Sequence, residues 1–324
     1  MEMNETPLVA YYVSKLGSDK QVQVFASYLE RILDNEARKD ALAFAEDSSL
    51  NTRAITKQVV ENIRSRPHEV GDFGDLQQRI TDIDMLKISA IDWLLIYESQ
   101  RLEALEQTNA LIFTFLTLKK LDAAQLAFNK IPTDTVEPLL AEGELLSEVD
   151  QIIREYFSYK AYLDAQEAFS AWFKQFNSKP IAPESLPDNA NFTEKVAHQH
   201  RESQFRAETE RWKLTTTHLA KIAKSKLYNV LLFPDGGWLS GAKDGEFLRS
   251  SCIPEITLLL FSVLHESGNY EECVQLADIL AAEKYGLYKV FSKEKLGDVL
   301  TKLCESSVAL LNEQKDPWGN ITTE

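Results

Sequence analysis

Apolar residues recur at intervals of three and four along nearly the whole chain, the period of amphipathic helices rather than of strands. The pattern is longest between Phe192 and Phe233, a stretch free of Gly and Pro. There Phe192, Val196, Gln199, Phe205, Trp212, Leu219, Ile222, Ala223, Leu227, Val230 and Leu231 share one face. Glu194, Lys195, Arg201, Glu202, Glu208, Arg211, Lys213 and Lys224 fall mostly between them. At about 1.5 Å per residue this helix would span most of a small domain, so it is expected to act as a spine. Three successive β-branched residues, Thr215 to Thr217, predict a weak point in it. The stop is the string Phe233-Pro234-Asp235-Gly236-Gly237-Trp238. Pro234 disfavours helical backbone before it, the paired glycines permit positive φ, and Trp238 is expected to fold back on the helix end.

Around this spine the chain reads as shorter helices. An apolar segment from Leu8 to Leu16 stops at Gly17, and Asp19 is placed to cap a helix carrying Val22 through Leu33. Helices follow at about Glu36 to Ala45 and from Asn51 to Arg66, where Pro67 ends the run. Residues 67–81 read as an exposed loop. One apolar helix is then expected from Asp82 to Leu95, and a pair from Arg101 to Leu118 and Asp122 to Ile131. Short turns between such helices favour antiparallel neighbours. A weak helix around Glu137 to Leu146 precedes a strong aromatic one from Val149 to Phe176, and the prolines of Ser178 to Asn191 mark a linker. After a polar, mobile connection at Ser240 to Glu246, three helices remain: Pro254 to Glu266, Tyr270 to Ala282, and Lys293 to Asn312 with Ser292 as its cap. Asp316-Pro317-Trp318-Gly319 should terminate structure.

Composition agrees, since 12 Gly and 10 Pro in 324 residues fall below the usual share of about 7% and about 5%. The expected fold is all-α: an irregular α-solenoid-like stack of antiparallel helices around one long spine helix. It divides into residues 1–66, 67–190 and 191–324 within one continuous helical domain. No repeat period of a named solenoid class can be superposed.

Chemistry is sparse. A net charge of −15 opposes whole-chain attraction to nucleic acid, and no apolar run approaches the ~20 residues of a membrane span. Cys252, Cys273 and Cys304 have no metal-ligand spacing, lie in or beside apolar helical runs, and read as buried free thiols in a reducing compartment. His198 and His200 point about 200° apart on a helix and cannot clamp one metal. No phosphate loop, dinucleotide fingerprint or nucleophile motif occurs, so no catalytic, cofactor or metal site is expected.

Several strings are more specific than helix periodicity. They are Phe192-Thr193-Glu194-Lys195-Val196-Ala197-His198, Tyr228 to Phe233 followed by Asp235-Gly236-Gly237-Trp238, Leu276-Ala277-Asp278, and Leu287 to Glu294. In this order they resemble the C-terminal half of the nucleoporin 84/107 family, with weaker agreement at Thr56 to Arg64 and Ile91 to Leu94. The resemblance implies a non-enzymatic scaffold subunit of the Y-shaped outer-ring complex of the nuclear pore, at the nuclear envelope. Such a subunit supports pore assembly, and hence nucleocytoplasmic transport and mRNA export. In that family the C-terminal half docks with the C-terminal region of nucleoporin 133, while the N-terminal half engages other subunits of the complex. Periodicity alone fits an adaptor of another assembly equally well, such as a vesicle coat or a proteasome-lid-type subunit; only the quoted strings argue against it.

Partner-binding residues are expected on the helix from Tyr270 to Ala282. Cys273, Val274, Ala277, Leu280 and Ala281 make one face that seats the helix, with Leu276 at its flank and Ile279 well outside it. Leu276 and Ile279 are therefore expected as apolar anchors, Glu272 and Glu283 as their charged rim, and Tyr285 and Tyr288 as extensions.

Overall fold

The computed structural model describes residues 5–68, 79–141, 147–186, 192–234 and 236–313. Among the described residues the regular elements are all helical. They fall into two units, Met1–Tyr159 and Lys160–Glu324, and the division lies inside a helix rather than in a loop.

The first unit opens with α1 (Thr6–Val13), α2 (Ser18–Leu29), α3 (Asn35–Asp47) and α4 (Thr52–Arg64). Local chemistry sets their starts. Asp34 accepts from the Ala37 backbone N–H and Asn51 from that of Ala54, each satisfying a donor that the first helical turn leaves free. Asp19 does not cap α2; Gly17 holds the cap position without a side-chain bond, and Asp19 lies in the first turn, where its charge suits the helix dipole. α2 also ends at Leu29, short of Ile32 and Leu33. Phe25, Leu29, Leu42, Ile55, Val59 and Ile63 form the buried centre of this group.

The single helix expected from Asp82 to Leu95 is two: α5 (Asp82–Ala90) and α6 (Asp92–Leu95), interrupted at Ile91. Thr81 and Asp84 close a reciprocal capping box at the start of α5. The break lets Trp93 and Leu94 reach full burial and leaves the Ser89 carbonyl to accept from Arg38 Nη1 at 2.9 Å. Arg38 is buried because its cation has partners on several sides: the Ile32 carbonyl at 3.0 Å, the Trp93 ring at 5.0 Å and Asp92 at 3.6 Å. α7 (Arg101–Thr117) and α8 (Leu121–Phe128) follow as a tightly turned pair, with Lys119 at positive φ between them. α9 (Val136–Ala141) begins where a helix is expected, and the rest of that expected helix, residues 142–146, lies outside the described ones.

α10 (Ser147–Asn177) begins in the first unit and ends in the second. In the second unit α11 (Phe192–Leu231) runs unbroken for 40 residues, through Thr215 to Thr217. Three threonines cost only about half a kcal/mol each in propensity, less than the packing of Trp212 and Leu219 to either side. Its inner face is narrower than the sequence pattern implies. His198, Glu202, Phe205, Thr209, Trp212, Thr216 and Leu219 are half-buried at spacings of four and three, whereas Phe192, Val196, Gln199 and Ile222 are exposed. That seam meets the end of α10 and the extended segment after it: Trp212 Nε1 donates to the Gln175 carbonyl at 2.8 Å, and a His198 ring nitrogen lies 3.0 Å from the Glu184 carbonyl.

α12 (Gly245–Glu266) starts nine residues before the expected Pro254, which sits inside the helix. An internal proline costs about 3 kcal/mol, offset here by a helix buried on most sides, with Ile253, Ile256, Leu260, Phe261 and Leu264 all sealed from solvent. By length and composition α12 could cross a membrane, contrary to the expectation that no apolar run approaches that length; its burial makes it the core helix of the unit. The connection before it is a series of turns closing on Trp238 and Leu239, both buried. Gly236 and Gly237 take positive φ as expected, while Asp235 lies outside the described residues. α13 (Tyr270–Ala281), a 3-10 turn at Leu287–Val290, and α14 (Lys293–Asn312) complete the unit. Ser292 caps α14 by accepting from Lys295 N–H, and Gly268 ends α12 at positive φ, both as the sequence implies. Asp316 to Gly319 lie outside the described residues.

Candidate partner-binding surface

α13 lies against both α12 and α14, so it can present only part of its circumference. Cys273, Leu276 and Leu280 are its buried residues, a stripe at spacings of three and four. Leu276 is 0% exposed, inside the core of its own unit rather than on the flank, and cannot serve as an outward anchor. Ala281, assigned to the seating face, is exposed instead. The seating face is thus rotated from the expected one, onto Cys273, Leu276 and Leu280.

The other expected residues are accessible in differing degrees. Ile279 is half-buried, and Glu283 is exposed one turn on. Glu272 takes Lys224 Nζ of α11 at 2.9 and 3.0 Å through its two oxygens, so its charge ties α13 to α11 before any partner arrives. Tyr285 is half-buried and Tyr288 is 42% exposed; Lys284 and Lys289 stand over their respective rings at 5.2 and 5.7 Å. Gly286, at φ 58°, makes the turn between α13 and the 3-10 segment that carries Tyr288.

The sequence reading passed over α14. Val299, Ser306 and Leu310 are its buried residues, and the Ser306 hydroxyl lies 3.2 Å from His265 Nδ1 of α12. Beside this arc Leu296, Leu300, Cys304, Val308 and Leu311 are exposed, with Leu300, Val308 and Leu311 each more than half so. At 100° per residue they lie within about a third of the helix circumference, an apolar stripe next to the seated one. The signal was present in the sequence: apolar residues occupy more of α14 than one neighbour can cover.

No group of three or more His, Cys, Asp or Glu able to hold a metal occurs among the described residues. Cys252 and Cys273 are buried free thiols and Cys304 an exposed one, which corrects the expectation of burial for Cys304. Burial pushes the Cys252 thiol up to about 12 and raises that of Cys273 as well, the opposite of an activated nucleophile.

Residues 1–307 match a family model described as nuclear pore protein 84 / 107. The nuclear pore complex protein Nup107 of Homo sapiens is 40% identical over 336 residues, covering 97% of this chain and 36% of that protein. The protein of the same name from Drosophila melanogaster is 37% identical over 349 residues, covering 98% of this chain and 41% of that protein. Nucleoporin nup107 of Schizosaccharomyces pombe is 24% identical over 310 residues, 88% of this chain and 35% of that protein. The chain therefore spans well under half the length of these curated relatives.

Proposed function

The chain belongs to the nuclear pore protein 84/107 family, and on that premise we propose that it is a non-enzymatic scaffold segment of the nuclear pore complex. It docks through α13 and α14 to the C-terminal region of nucleoporin 133, and through that joint contributes to pore assembly and to transport across the nuclear envelope. The observation that carries the docking is the apolar stripe of α14, Leu296, Leu300, Val308 and Leu311, left exposed by the chain's own packing. An apolar centre rimmed by charge is the usual anatomy of a protein interface. Glu294 and Lys295 near the start of α14, and Glu305 and Lys302 along it, supply such a rim. Of the residues expected to meet the partner, Ile279 on α13 and Glu283 and Tyr288 after it remain accessible, whereas Leu276 does not. Family membership also weighs against the coat or proteasome-lid adaptor reading.

Calorimetric titration with the C-terminal region of nucleoporin 133 tests the reading. Leu300→Asp or Val308→Asp should weaken binding by at least about 2 kcal/mol, the usual threshold of an interface hot spot, with helicity and melting unchanged. Ile279→Asp should weaken it less. Unaltered affinity in the α14 variants removes that helix from the joint.

A further inference from the structure

A second surface of the same unit is unrelated to α14 and to the docking just described. Where the end of α10, the middle of α11 and the end of α12 come together they leave a groove of about 350 Å³. Its floor is aromatic and apolar: Phe176 and Trp212, with ring centroids 6.4 Å apart, together with Ala220 and Val263. Trp212 is held in place, since its indole N–H already donates to the Gln175 carbonyl at 2.8 Å. Lys179 Nζ stands over its ring 5.9 Å from the centroid, and the ring surface lining the groove offers a platform for an apolar group.

The wall formed by α11 is basic. Lys213, Lys221 and Lys224 line it against a single carboxylate, Glu266, on a chain whose net charge is −15. Lys224 is engaged by Glu272 and Lys213 by the exposed Glu210 of its own helix at 3.1 Å. A pair so exposed to water holds its partners only weakly, so Lys213 can turn to an incoming carboxylate. Between these lysines sits Thr216, whose hydroxyl is buried without a hydrogen-bond partner. A helical threonine ordinarily donates to the carbonyl four residues back, as Thr108, Thr114, Thr117, Thr257 and Thr301 all do here at 2.7 to 3.0 Å. Thr216 does not, and an unmade bond of a buried hydroxyl costs about 1 to 3 kcal/mol that a ligand oxygen would recover.

These features converge on one ligand chemistry, carboxylate beside an apolar side chain. The basic wall runs from Lys213 to Lys224, which at 1.5 Å per residue is about 16 Å and matches about five residues of extended chain. We propose that the groove binds an acidic peptide segment of another protein, with one apolar side chain on Phe176 and Trp212 and carboxylates on Lys213, Lys221 and the Thr216 hydroxyl. The lysines of a groove on an acidic surface also select against basic and neutral segments.

The test is a selection of randomised short peptides displayed against the whole chain. The recovered peptides are synthesised and titrated by fluorescence anisotropy. The expected peptides are net acidic and carry an aromatic or aliphatic residue. Lys213→Glu with Lys221→Glu should weaken them by about tenfold or more, as for close charge pairs at interfaces, with the melting temperature unchanged. Thr216→Val, which keeps the shape and removes the donor, should weaken them severalfold while leaving the fold intact. Rising salt should weaken them as well. Recovery of peptides without acidic bias overturns the proposal, as does equal binding by the charge-reversed chain. Competition by acetate or phosphate at the concentration of the peptide would assign the groove to small anions and overturn it too.

Discussion

Lys120 Nζ lies 2.6 Å from Asp84 Oδ2, with the two side chains 1% and 0% exposed. The carboxylate is also one half of the capping box of α5, accepting from the Thr81 backbone N–H at 3.0 Å, and it lies 3.3 Å from His68 Nδ1. One buried acid thus joins a helix start, the turn before α8 and His68 after α4. Removing either partner of such a pair strands the other charge in the core. Asp84→Asn and Lys120→Met should each destabilise the first unit by about 3 to 5 kcal/mol, read from urea denaturation; a loss below about 1 kcal/mol would mean that water reaches the site.

The same cluster makes stability depend on pH. Burial by itself would raise the Asp84 carboxyl pKa, but the bonds from Lys120, Thr81 and His68 outweigh it and hold the carboxyl below its ordinary value. The His68 pKa is lowered too, by burial first and then by Lys87 and Lys120 against the opposing pull of Asp84. A lowered pKa means that the unfolded chain takes the proton first, so both groups stabilise at neutral pH and lose that contribution on acidification. The His68 contribution should fade as pH drops below about 6.5 and the Asp84 contribution below about 3.9, the ordinary values of the unfolded chain. Melting temperature measured against pH should fall in these two steps, and His68→Gln should remove the upper one.

Trp238 is 1% exposed, its ring centroid is 5.4 Å from that of Tyr162, and its carbonyl accepts from Arg249 Nη1 of α12. Its packing therefore reaches α10 and α12 as well as closing the turn after α11. Trp238→Ala should cost about 3 to 5 kcal/mol, the range for truncating a buried tryptophan. An unchanged denaturation midpoint would place the ring outside the core.

The cysteines should separate by accessibility. Alkylation of the folded chain without reductant should modify Cys304 quickly and spare Cys252 and Cys273, which are buried. After unfolding all three thiols should react, and a mass short of three additions would reveal a bridge.

Two glycines should respond oppositely to alanine. A Cβ on Gly245 would stand 2.6 Å from the Leu239 carbonyl oxygen, which backbone cannot easily yield, so Gly245→Ala should destabilise by about 1 to 3 kcal/mol. Gly297 lies inside α14 with nothing within 4 Å of such a Cβ, so Gly297→Ala should stabilise by about 0.5 to 1 kcal/mol through helix propensity. Paired thermal melts decide both signs.

What the sequence by itself determined was local. The bounds of α14, its Ser292 cap and the long helix ending before Pro234 all follow from interactions within a few residues. So did the family, through strings that no helix period requires. Tertiary structure decided which surfaces of those helices meet. Periodicity fixes where a side chain points relative to its own axis, but not which neighbour arrives to cover it. α13 carries more than one apolar side, and its neighbours α12 and α14 left Leu276 sealed and Ile279 half open. On α14 one of two adjacent apolar stripes found a neighbour and the other did not. Pro254 reads as a helix start because a proline inside a helix is costly, and only the burial along α12 outweighs that cost. Asp84 and Lys120, 36 residues apart, read separately as an ordinary helix start and a turn. Neither position reveals alone that the other charge will meet it away from water.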